Sequence, residues 1–185
     1  MKAVQTSLPG VLVVEPQVFE DSRGFFYESY HQAKYAALGI HAGFVQTNVS
    51  RSSRGVLRGL HYQWPHPQGK LVSVLEGEVY DVAVDIRRGS PTFGQWTSAM
   101  LTANNHRHMW IPDGFAHGFC VLSGHATFIY QCTTLYDSTA DASICWNDAA
   151  IGIDWPMSEP LISAKDAKAP LLADVAANRL PLFEA

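Results

Sequence analysis

The chain has 185 residues, of which 47% are hydrophobic and 16% are charged, and its formal net charge is -4 at pH 7. This composition is typical of a globular domain that buries its own core, and it argues against a disordered chain or a strongly basic nucleic-acid-binding surface. No apolar run approaches the length of a membrane span, and no signal peptide is indicated. We expect a single domain over residues 1–185 that binds neither nucleic acid nor membrane.

Most of the chain is predicted to be β-strand. Short runs rich in Val, Ile, Phe, Tyr and Thr alternate with Gly, Pro, Asn and Asp at intervals of about ten residues, as in a sandwich or barrel. The predicted strands are Val11–Glu15, Phe25–Ser29, Phe44–Ser50, Gly55–Gln63, Lys70–Glu76, Glu78–Ile86, Gln95–Thr102, His108–Ile111, His117–Val121 and Ala126–Thr133. A short helix is predicted over His31–Leu38, and one or two helical turns over the tail Ser163–Ala176.

Several predicted strands carry polar side chains on one face, because successive strand residues point to opposite sides. The sets that share a face are Gln46, Asn48 and Ser50; Asp81 and Asp85; and Tyr130, Cys132 and Thr134. Such faces are expected where a barrel encloses a ligand cavity instead of a dry core.

The segment Gly55–Gln63 carries the most chemical information, because it holds Arg58 and His61 on one predicted strand. A regular strand points residues three apart to opposite faces, so we predict a bulge at Gly59 that turns both side chains into one cavity. A strand histidine is often purely structural. The histidine side chain in general has an unperturbed pKa of about 6.5, however, which also suits proton transfer near neutral pH.

Two spaced motifs favour a cupin-type double-stranded β-helix, which is a small jelly-roll barrel. Gly55 and His61 match G(x)5H, the opening of the first cupin motif. Pro112, Gly114 and His117 match PxGxxH, the core of the second motif.

A metal site of the usual cupin type is incomplete in this chain. Metal-binding cupins continue the first motif as HxH and place a glutamate soon after it. Here Gln63 occupies the position of the second histidine, and Trp64–Lys70 contains no carboxylate. We therefore expect no metal at His61.

A base at His61 needs an acid on the opposite side of the substrate, a cation for the developing oxyanion and a carboxylate that orients the imidazole. Tyr130 and Lys70 are residues of the first two types. Several aspartates are candidates for the third, and the residues alone do not choose among them. Clustered arginines, including Arg23 and Arg58, are natural partners of phosphate through the guanidinium fork.

The three cysteines, Cys120, Cys132 and Cys145, lie in apolar or strand-like runs. Their odd number and the lack of a CxxC pair predict buried free thiols. Free thiols fit a reducing, cytoplasmic compartment.

Taken together, ordered segments along nearly the whole chain resemble the dTDP-4-dehydrorhamnose 3,5-epimerase family. The segments are Phe19–Phe26, Val45–Ser50, Gly55–Gln63, Gln68–Val72, Tyr80–Arg87, Trp110–Phe119, Tyr130–Asp137, Ile151–Pro156 and Ser163–Asp166. The resemblance implies a metal-free cupin enzyme without a cofactor, usually a homodimer and cytoplasmic. It further implies inversion of C3 and C5 of dTDP-4-dehydro-6-deoxy-D-glucose on the way to L-rhamnose and lipopolysaccharide O-antigen.

The resemblance also implies roles for individual residues. His61 matches the catalytic base, Asp166 its paired carboxylate, Tyr130 the acid on the other face and Lys70 the cation near the C4 oxygen. The implied substrate- or nucleotide-contacting positions are Arg23, Phe25, Glu28, Gln46, Thr47, Asn48, Arg58, His117, Tyr136, Asp141 and Lys165. Tyr136 matches an aromatic residue that stacks on thymine, and Asp141 stands where a glutamate is common in the family.

Three other functions stay open at this point. The first is an epimerase that acts at one carbon or on a related dTDP-ketosugar, and the second is a metal-dependent cupin enzyme. The third is a sugar-nucleotide-binding module without catalysis, which would have no need of the set His61, Lys70, Tyr130 and Asp166.

Overall fold

Strands form most of the secondary structure in the computed structural model, which describes residues 1–183. In chain order they are β1 (Lys2–Gln5), β2 (Leu12–Glu15), β3 (Val18–Asp21), β4 (Gly24–Tyr27), β5 (Gln46–Ser53), β6 (Leu57–Gln63), β7 (Lys70–Glu76), β8 (Glu78–Asp85), β9 (Trp96–Thr102), β10 (His108–Ile111), β11 (Phe115–Val121), β12 (His125–Cys132) and β13 (Asp141–Ser143). The predicted all-β class with a few short helices is confirmed.

Two antiparallel sheets face each other and enclose the main core. The six-stranded sheet has the order β1-β2-β10-β7-β12-β5, and the five-stranded sheet has the order β13-β6-β11-β8-β9. Between them, Val72 and Phe128 of the first sheet pack in one cluster with Val79 and Phe119 of the second. Strands β3 and β4 form a separate hairpin. This is the barrel that the two cupin motifs predicted.

All ten predicted strands are present, with ends that differ from the prediction by up to three residues. The prediction missed β1, β3 and β13. These strands have only three or four residues, and none of these residues is buried. They therefore lack the long apolar alternation by which a strand is recognised in a sequence.

Helical structure is confined to short segments. The predicted helix is shorter than expected, because α1 spans only Gln32–Ala36. The tail forms 3₁₀ turns at Asp166–Lys168, Leu172–Asp174 and Ala177–Arg179, and the first two lie inside the predicted helical region. No helix in residues 1–183 is long and apolar enough to span a membrane.

Two of the three cysteines are buried as expected. Cys120 and Cys132 are buried free thiols, whereas Cys145 is a free thiol that is partly exposed. The expectation was wrong for Cys145 because it follows the short edge strand β13 and leads into a surface turn.

The outer faces of the two sheets are covered differently. Residues Ile151, Leu172 and Leu180 of the C-terminal segment pack on the five-stranded sheet. On the six-stranded sheet, Tyr35 of α1 and the following Ile40 cover β2, β10 and the first part of β7. Within residues 1–183, the outer face of β5 and the far end of β7 are left exposed.

The uncovered surface is apolar. Val45, just before β5, is 59% exposed, Val49 of β5 is 62% exposed and Leu75 of β7 is 51% exposed. Strand β5 thus turns only polar residues inward, whereas Val49 shares the outer face with Thr47 and Arg51. An inner face without apolar residues is the reverse of the usual pattern for a sheet with one solvated face. Large exposed apolar patches are typical of interaction surfaces in general.

Strand β6 holds one extra residue relative to β11, which confirms the predicted bulge. His61 lies opposite His117, and Arg58 lies opposite Phe119, so three steps along β6 match two along β11. Gly59 has a φ of +139°, and a Cβ there would lie 2.6 Å from the Cα of Gly118. Because directly paired residues share a face of a sheet, both Arg58 and His61 point to the inner side.

Replacing Gly59 by alanine should break this arrangement. The added methyl group has no room against Gly118, and the φ of +139° is strained for an L residue. We expect Gly59→Ala to lower the free energy of unfolding by about 3 kcal/mol or more, measured by urea denaturation. At Gly124 an added Cβ meets no atom within 4 Å, so Gly124→Ala is the matched control and should change stability by less than about 1 kcal/mol. Equal stability of the two variants would contradict this account.

Candidate active site

The cavity between the sheets holds a paired imidazole and carboxylate. Nε2 of His61 lies 2.6 Å from Oδ1 of Asp166, whose side chain is 3% exposed. A carboxylate can only accept a hydrogen bond, so the nitrogen that faces it carries the proton and Nδ1 presents a lone pair. His61 is one-third exposed at 33%, which leaves this second nitrogen able to meet a ligand.

Asp166 is held in its ionised form by its surroundings. Burial pushes the pKa of Asp166 upward, but the hydrogen bond and charge of His61, together with hydrogen bonds from Ser163 and the Gly59 amide, hold the pKa below its ordinary value. The backbone N–H of Asp166 donates to Oγ of Ser163 at 3.1 Å, which fixes the turn that carries it. An ionised, oriented carboxylate can stabilise a protonated His61.

A second buried pair lies beside the first. Nε2 of His117 lies 3.1 and 3.0 Å from the two carboxylate oxygens of Asp81, and both residues are buried. The aromatic rings of Phe119 and Phe128 flank the imidazole. Burial lowers the pKa of His117, and the charge of Asp81 opposes the shift.

Lys70 brings a cation into the same cavity from the six-stranded sheet. It is the first residue of β7, where it pairs with Cys132 of β12. Burial lowers the pKa of Lys70, and Cys132, Asp141 and Asp81 oppose the shift. Within residues 1–183 the ammonium group forms no ion pair, so its charge is available to a ligand.

Tyr130 also faces the cavity from the six-stranded sheet. It lies on β12 opposite Asn48 of β5, and its ring packs against the core between the sheets. Burial raises the pKa of Tyr130, Cys132 adds to the shift and Arg58 opposes it. The hydroxyl is therefore protonated at neutral pH and can serve as a proton donor.

Arg58 reaches from one sheet toward the other. Its Nε donates to Oγ of Ser52 on β5 at 3.1 Å, although the side chain as a whole is exposed. A guanidinium at the rim of the cavity is suited to bind phosphate oxygens.

A polar cluster lines the mouth of the cavity. The side-chain amide of Gln46 donates to Oδ1 of Asn48 at 3.0 Å, and its carbonyl oxygen accepts from the backbone N–H of Tyr136 at 2.9 Å. The hydroxyl of Tyr136 donates to Oδ2 of Asp141 at 3.1 Å, and Lys165 forms an ion pair with the same carboxylate. The ring of Tyr136 is 57% exposed and presents a face for stacking.

Four of the predicted site residues lie away from His61 and the residues around it. Thr47 is exposed on the outer face of β5. Arg23 and Phe25 belong to the β3–β4 hairpin, where Arg23 pairs with Asp21. Glu28 pairs with Lys34.

The hairpin makes its aromatic contacts away from the cavity. The ring of Phe25 lies 4.5 Å from that of His106, between centroids. In residues 1–183 no hydrogen bond, ion pair or ring contact joins Arg23, Phe25 or Glu28 to His61. The other predicted site residues lie on the inner faces of the two sheets or in the loops beside them. Within residues 1–183, no side-chain hydrogen bond, ion pair or ring contact joins Arg23, Phe25, Glu28 or Thr47 to them.

Sequence reasoning did not assign a role to Asp81 and Cys132. The sequence pattern placed Asp81 and Asp85 on one strand face and so made both of them candidates. Only the fold shows which of the two lies beside the other site residues. Asp81 lies against His117, whereas Asp85 accepts hydrogen bonds from Arg87 and neighbouring hydroxyl groups outside the cavity. Cys132 shares the inner face with Tyr130, and its Sγ lies 3.7 Å from the amide nitrogen of Asn48.

Gln63, at the position of a cupin metal ligand, has a structural task here. Its amide nitrogen donates to the carbonyl oxygens of His66 and Leu135 at 2.8 and 3.2 Å. Its carbonyl oxygen accepts from the backbone N–H of Asp137 at 3.0 Å. Gln63 therefore ties together the two loops beside the cavity mouth. In residues 1–183 no three His, Cys, Asp or Glu side chains converge as they would around a metal ion.

The arrangement can move a proton and stabilise a developing oxyanion. A carboxylate-backed imidazole lies on one wall and a protonated phenol on the facing wall, with an unpaired ammonium group in the same cavity. Proton removal next to a carbonyl group requires a base and a cation for the oxyanion, and inversion requires in addition an acid on the opposite face.

Comparison with known proteins agrees with this chemistry. The family profile of dTDP-4-dehydrorhamnose 3,5-epimerase matches residues 5–174. A dTDP-4-dehydrorhamnose 3,5-epimerase from Salmonella typhimurium is 55% identical over 175 residues, which cover 93% of this chain and 96% of that protein.

Solved structures share the fold as well. A dTDP-6-deoxy-D-glucose-3,5-epimerase from Legionella pneumophila, in complex with dTDP-4-keto-L-rhamnose, has a TM-score of 0.97 and 52% identity, covering 100% of this chain and 99% of that one. A 3′-monoepimerase from Streptomyces bikiniensis, in complex with dTDP-quinovose, has a TM-score of 0.88 and 34% identity, covering 98% and 93%. The matched residues, the high identity and the shared barrel lead to one conclusion: the chain belongs to the dTDP-4-dehydrorhamnose 3,5-epimerase family.

Proposed function

We propose that this protein is an isomerase that inverts C3 and C5 of dTDP-4-dehydro-6-deoxy-D-glucose, giving dTDP-4-dehydro-L-rhamnose in dTDP-L-rhamnose biosynthesis. The observation that carries the proposal is the 2.6 Å contact between His61 and Asp166 on one wall of a cavity whose facing wall bears Tyr130. The substrate is inferred from family membership, and the side chains of the cavity are of the types that its epimerisation needs.

His61 acts as the general base. The C4 ketone acidifies the protons on C3 and C5, because the electron pair left by either proton can move onto the C4 oxygen. Nδ1 of His61 takes the proton, and Asp166 stabilises the imidazolium that forms. Lys70 stabilises the enolate oxygen through its charge.

Tyr130 acts as the acid on the opposite face. Inversion requires the proton to return to the face from which it was not removed, and the two walls of the barrel provide two faces. Tyr130 donates its phenolic proton to carbon, and the C4 ketone re-forms. Because C3 and C5 both flank C4, the same groups can serve both carbons once His61 has released its proton to solvent and Tyr130 has taken one up. The reaction has no net oxidation, so this chemistry calls for no redox cofactor.

The rim residues bind the nucleotide in this proposal. Arg58 and Lys165 bind the negatively charged diphosphate. The exposed ring of Tyr136 stacks on thymine and is braced by Gln46 and Asp141 through the hydrogen bonds described above. His117 and Asn48 contact the sugar from the two walls.

We also propose that the enzyme is a homodimer in which each copy completes the site of the other. Two observations support this proposal. The outer face of β5 and β7 exposes Val45, Val49 and Leu75, and the family's ligand-contacting positions Arg23 and Phe25 lie on a hairpin that does not reach the cavity of its own chain. A second copy packed on the apolar face can present that hairpin to the neighbouring cavity.

The chain is proposed to work as one cytoplasmic domain. The tail returns to the barrel at two places, where Leu161 bridges to Val56 and Leu182 bridges to Arg88. A cytoplasmic location is consistent with the free thiols at Cys120 and Cys132.

The role of His61 is tested by His61→Asn. We expect hydrogen exchange at both C3 and C5 of the ketosugar, followed by NMR in heavy water, to fall by roughly 10³-fold, because the general base is lost. Binding of dTDP, measured by calorimetry, should stay within about threefold of the parent value, because the nucleotide contacts are intact. His125→Asn is the matched control, since His125 pairs with Glu76 on the surface. Near-normal exchange in His61→Asn would overturn the assignment of the base.

The role of Tyr130 is tested by Tyr130→Phe. Deuterium should still enter the recovered substrate, because His61 can remove and return protons on its own face. Net inversion should fall by roughly 10²-fold or more, because the opposite face has lost its acid. Both quantities come from one NMR time course in heavy water. A parallel fall of exchange and inversion would show that Tyr130 is not the opposing acid.

The shared site is tested by mixing two impaired variants, Arg23→Ala and His61→Asn, unfolded together and refolded. In a mixed dimer, one site has an intact His61 and takes Arg23 from the other copy, so about one quarter of the parent activity should return. The control is a mixture of His61→Asn and Lys70→Ala, two residues of the same cavity, which should recover no activity. No recovery in the first mixture would mean that Arg23 does not serve the neighbouring site.

A further inference from the structure

The side-chain amides of Gln46 and Asn48 form a chain of hydrogen bonds on the inner face of β5. Both residues are partly buried, and they lie opposite Cys132 and Tyr130 of β12. The carbonyl oxygen of Gln46 accepts from the backbone N–H of Tyr136 at 2.9 Å, and its amide nitrogen donates to Oδ1 of Asn48 at 3.0 Å. The chain therefore runs from the loop after β12 to a residue of the cavity wall.

The direction of this chain is set by the backbone group at its start. A side-chain amide has an acceptor end and a donor end and can be turned end for end, so its orientation follows from its partners. A backbone N–H can only donate, so the end of Gln46 that faces Tyr136 is the oxygen. The other end of Gln46 is then a donor, and the atom of Asn48 that it meets has to be the oxygen. The amide nitrogen of Asn48 is thereby turned away from Gln46.

The amide nitrogen of Asn48 has one hydrogen that is not used within the chain. Nδ2 lies 3.7 Å from Sγ of Cys132, which is a weak acceptor. This nitrogen carries two hydrogens, and within residues 1–183 it has no second acceptor. Because Asn48 is directly paired with Tyr130, the two side chains share the inner face of the six-stranded sheet. One N–H of Asn48 is therefore left for a ligand in the cavity.

We propose that Gln46 is a positioning residue that fixes Asn48 as a hydrogen-bond donor, so that this wall of the cavity selects an acceptor oxygen of the hexose. A reversed amide at Asn48 would turn its carbonyl oxygen toward the ligand, where it would repel an oxygen that carries no proton, such as that of a ketone. The identity of the ligand rests on the proposed function, whereas the direction of the amide chain does not.

The same chain connects two parts of the bound ligand. It begins at Tyr136, which stacks on thymine in the proposed function, and it ends at Asn48, beside the phenol that acts on the hexose. Gln46 therefore has two separable tasks. Its oxygen holds the loop of Tyr136, and its amide nitrogen sets the polarity that Asn48 presents to the sugar.

The test separates the contribution of the sugar to binding from that of the nucleotide. Calorimetry gives the dissociation constants of dTDP and of dTDP-glucose, which lacks the C4 ketone and so is not turned over by the proposed proton transfer. The ratio of the first constant to the second is called the sugar increment here. A change that acts on the thymine or on the diphosphate affects both constants and largely cancels in this ratio.

Two substitutions of Gln46 remove its donor to Asn48. In Gln46→Met the amide of Asn48 loses its fixed direction without any added charge, and the sugar increment should fall about threefold or more. In Gln46→Glu the oxygen for Tyr136 is kept, but the carboxylate attracts the NH₂ group of Asn48 and reverses the amide, so the fall should be about tenfold or more. The same two substitutions at Gln95, which is exposed just before β9, are the matched controls and should leave the increment unchanged. An unchanged increment in Gln46→Met, or a fall confined to Gln46→Glu, would overturn the proposal.

A double variant shows whether Gln46 acts through Asn48. Asn48→Leu removes the proposed donor and should lower the sugar increment on its own. In that background Gln46→Met should change the increment by less than about 1.5-fold, because the group that it orients is gone. Two independent falls that multiply in the double variant would contradict a positioning role. Absence of ketosugar turnover in the parent protein would count against the proposed function, whereas these binding constants do not depend on turnover.

Discussion

The close approach of Gly59 on β6 to Gly118 on β11 is the constraint on which the cavity depends. A Cβ at Gly59 would lie 2.6 Å from the Cα of Gly118, and a Cβ at Gly118 would lie 2.9 Å from the carbonyl oxygen of Arg58. Because neither position carries a side chain, β6 can hold an extra residue and turn both Arg58 and His61 inward. The backbone of Gly59 also helps to hold the pKa of Asp166, the carboxylate paired with His61, below its ordinary value.

The two sheets divide the chemistry between them. The five-stranded sheet supplies His61 and the Asp81–His117 pair, whereas the six-stranded sheet supplies Lys70 and Tyr130. A substrate held between the sheets is therefore exposed to different groups on its two faces, which inversion requires. The six-stranded sheet meets this demand by turning the polar residues Gln46, Asn48 and Ser50 of β5 inward, which leaves Val49 on the outer face beside Thr47 and Arg51. Because successive residues of a strand point to opposite faces, the alternation that lines the cavity with polar side chains also exposes Val49 on the outer face.

Much of this arrangement was predictable from the sequence. The pairing of Asp166 and the direction of the β3–β4 hairpin were not predictable, and each has a physical reason. Alternation of apolar and polar residues over five or more positions indicated the long strands and the polar inner face of β5. The three-residue spacing of Arg58 and His61 indicated a bulge, provided that both side chains face the same cavity. Asp166 could not be chosen from the residues alone, because its pairing with His61 spans 105 positions and depends on the path of the tail. Nothing in the spacing of Arg23 indicated that its hairpin points away from the cavity of its own chain.

The central claim is that one base and one opposing acid act at both carbons beside the C4 ketone. The most direct measurement is NMR of dTDP-4-dehydro-6-deoxy-D-glucose incubated with the unaltered protein in heavy water. The account predicts deuterium at both C3 and C5 of a product with the L-rhamno configuration. Deuterium at one carbon alone, or at neither carbon, would contradict it.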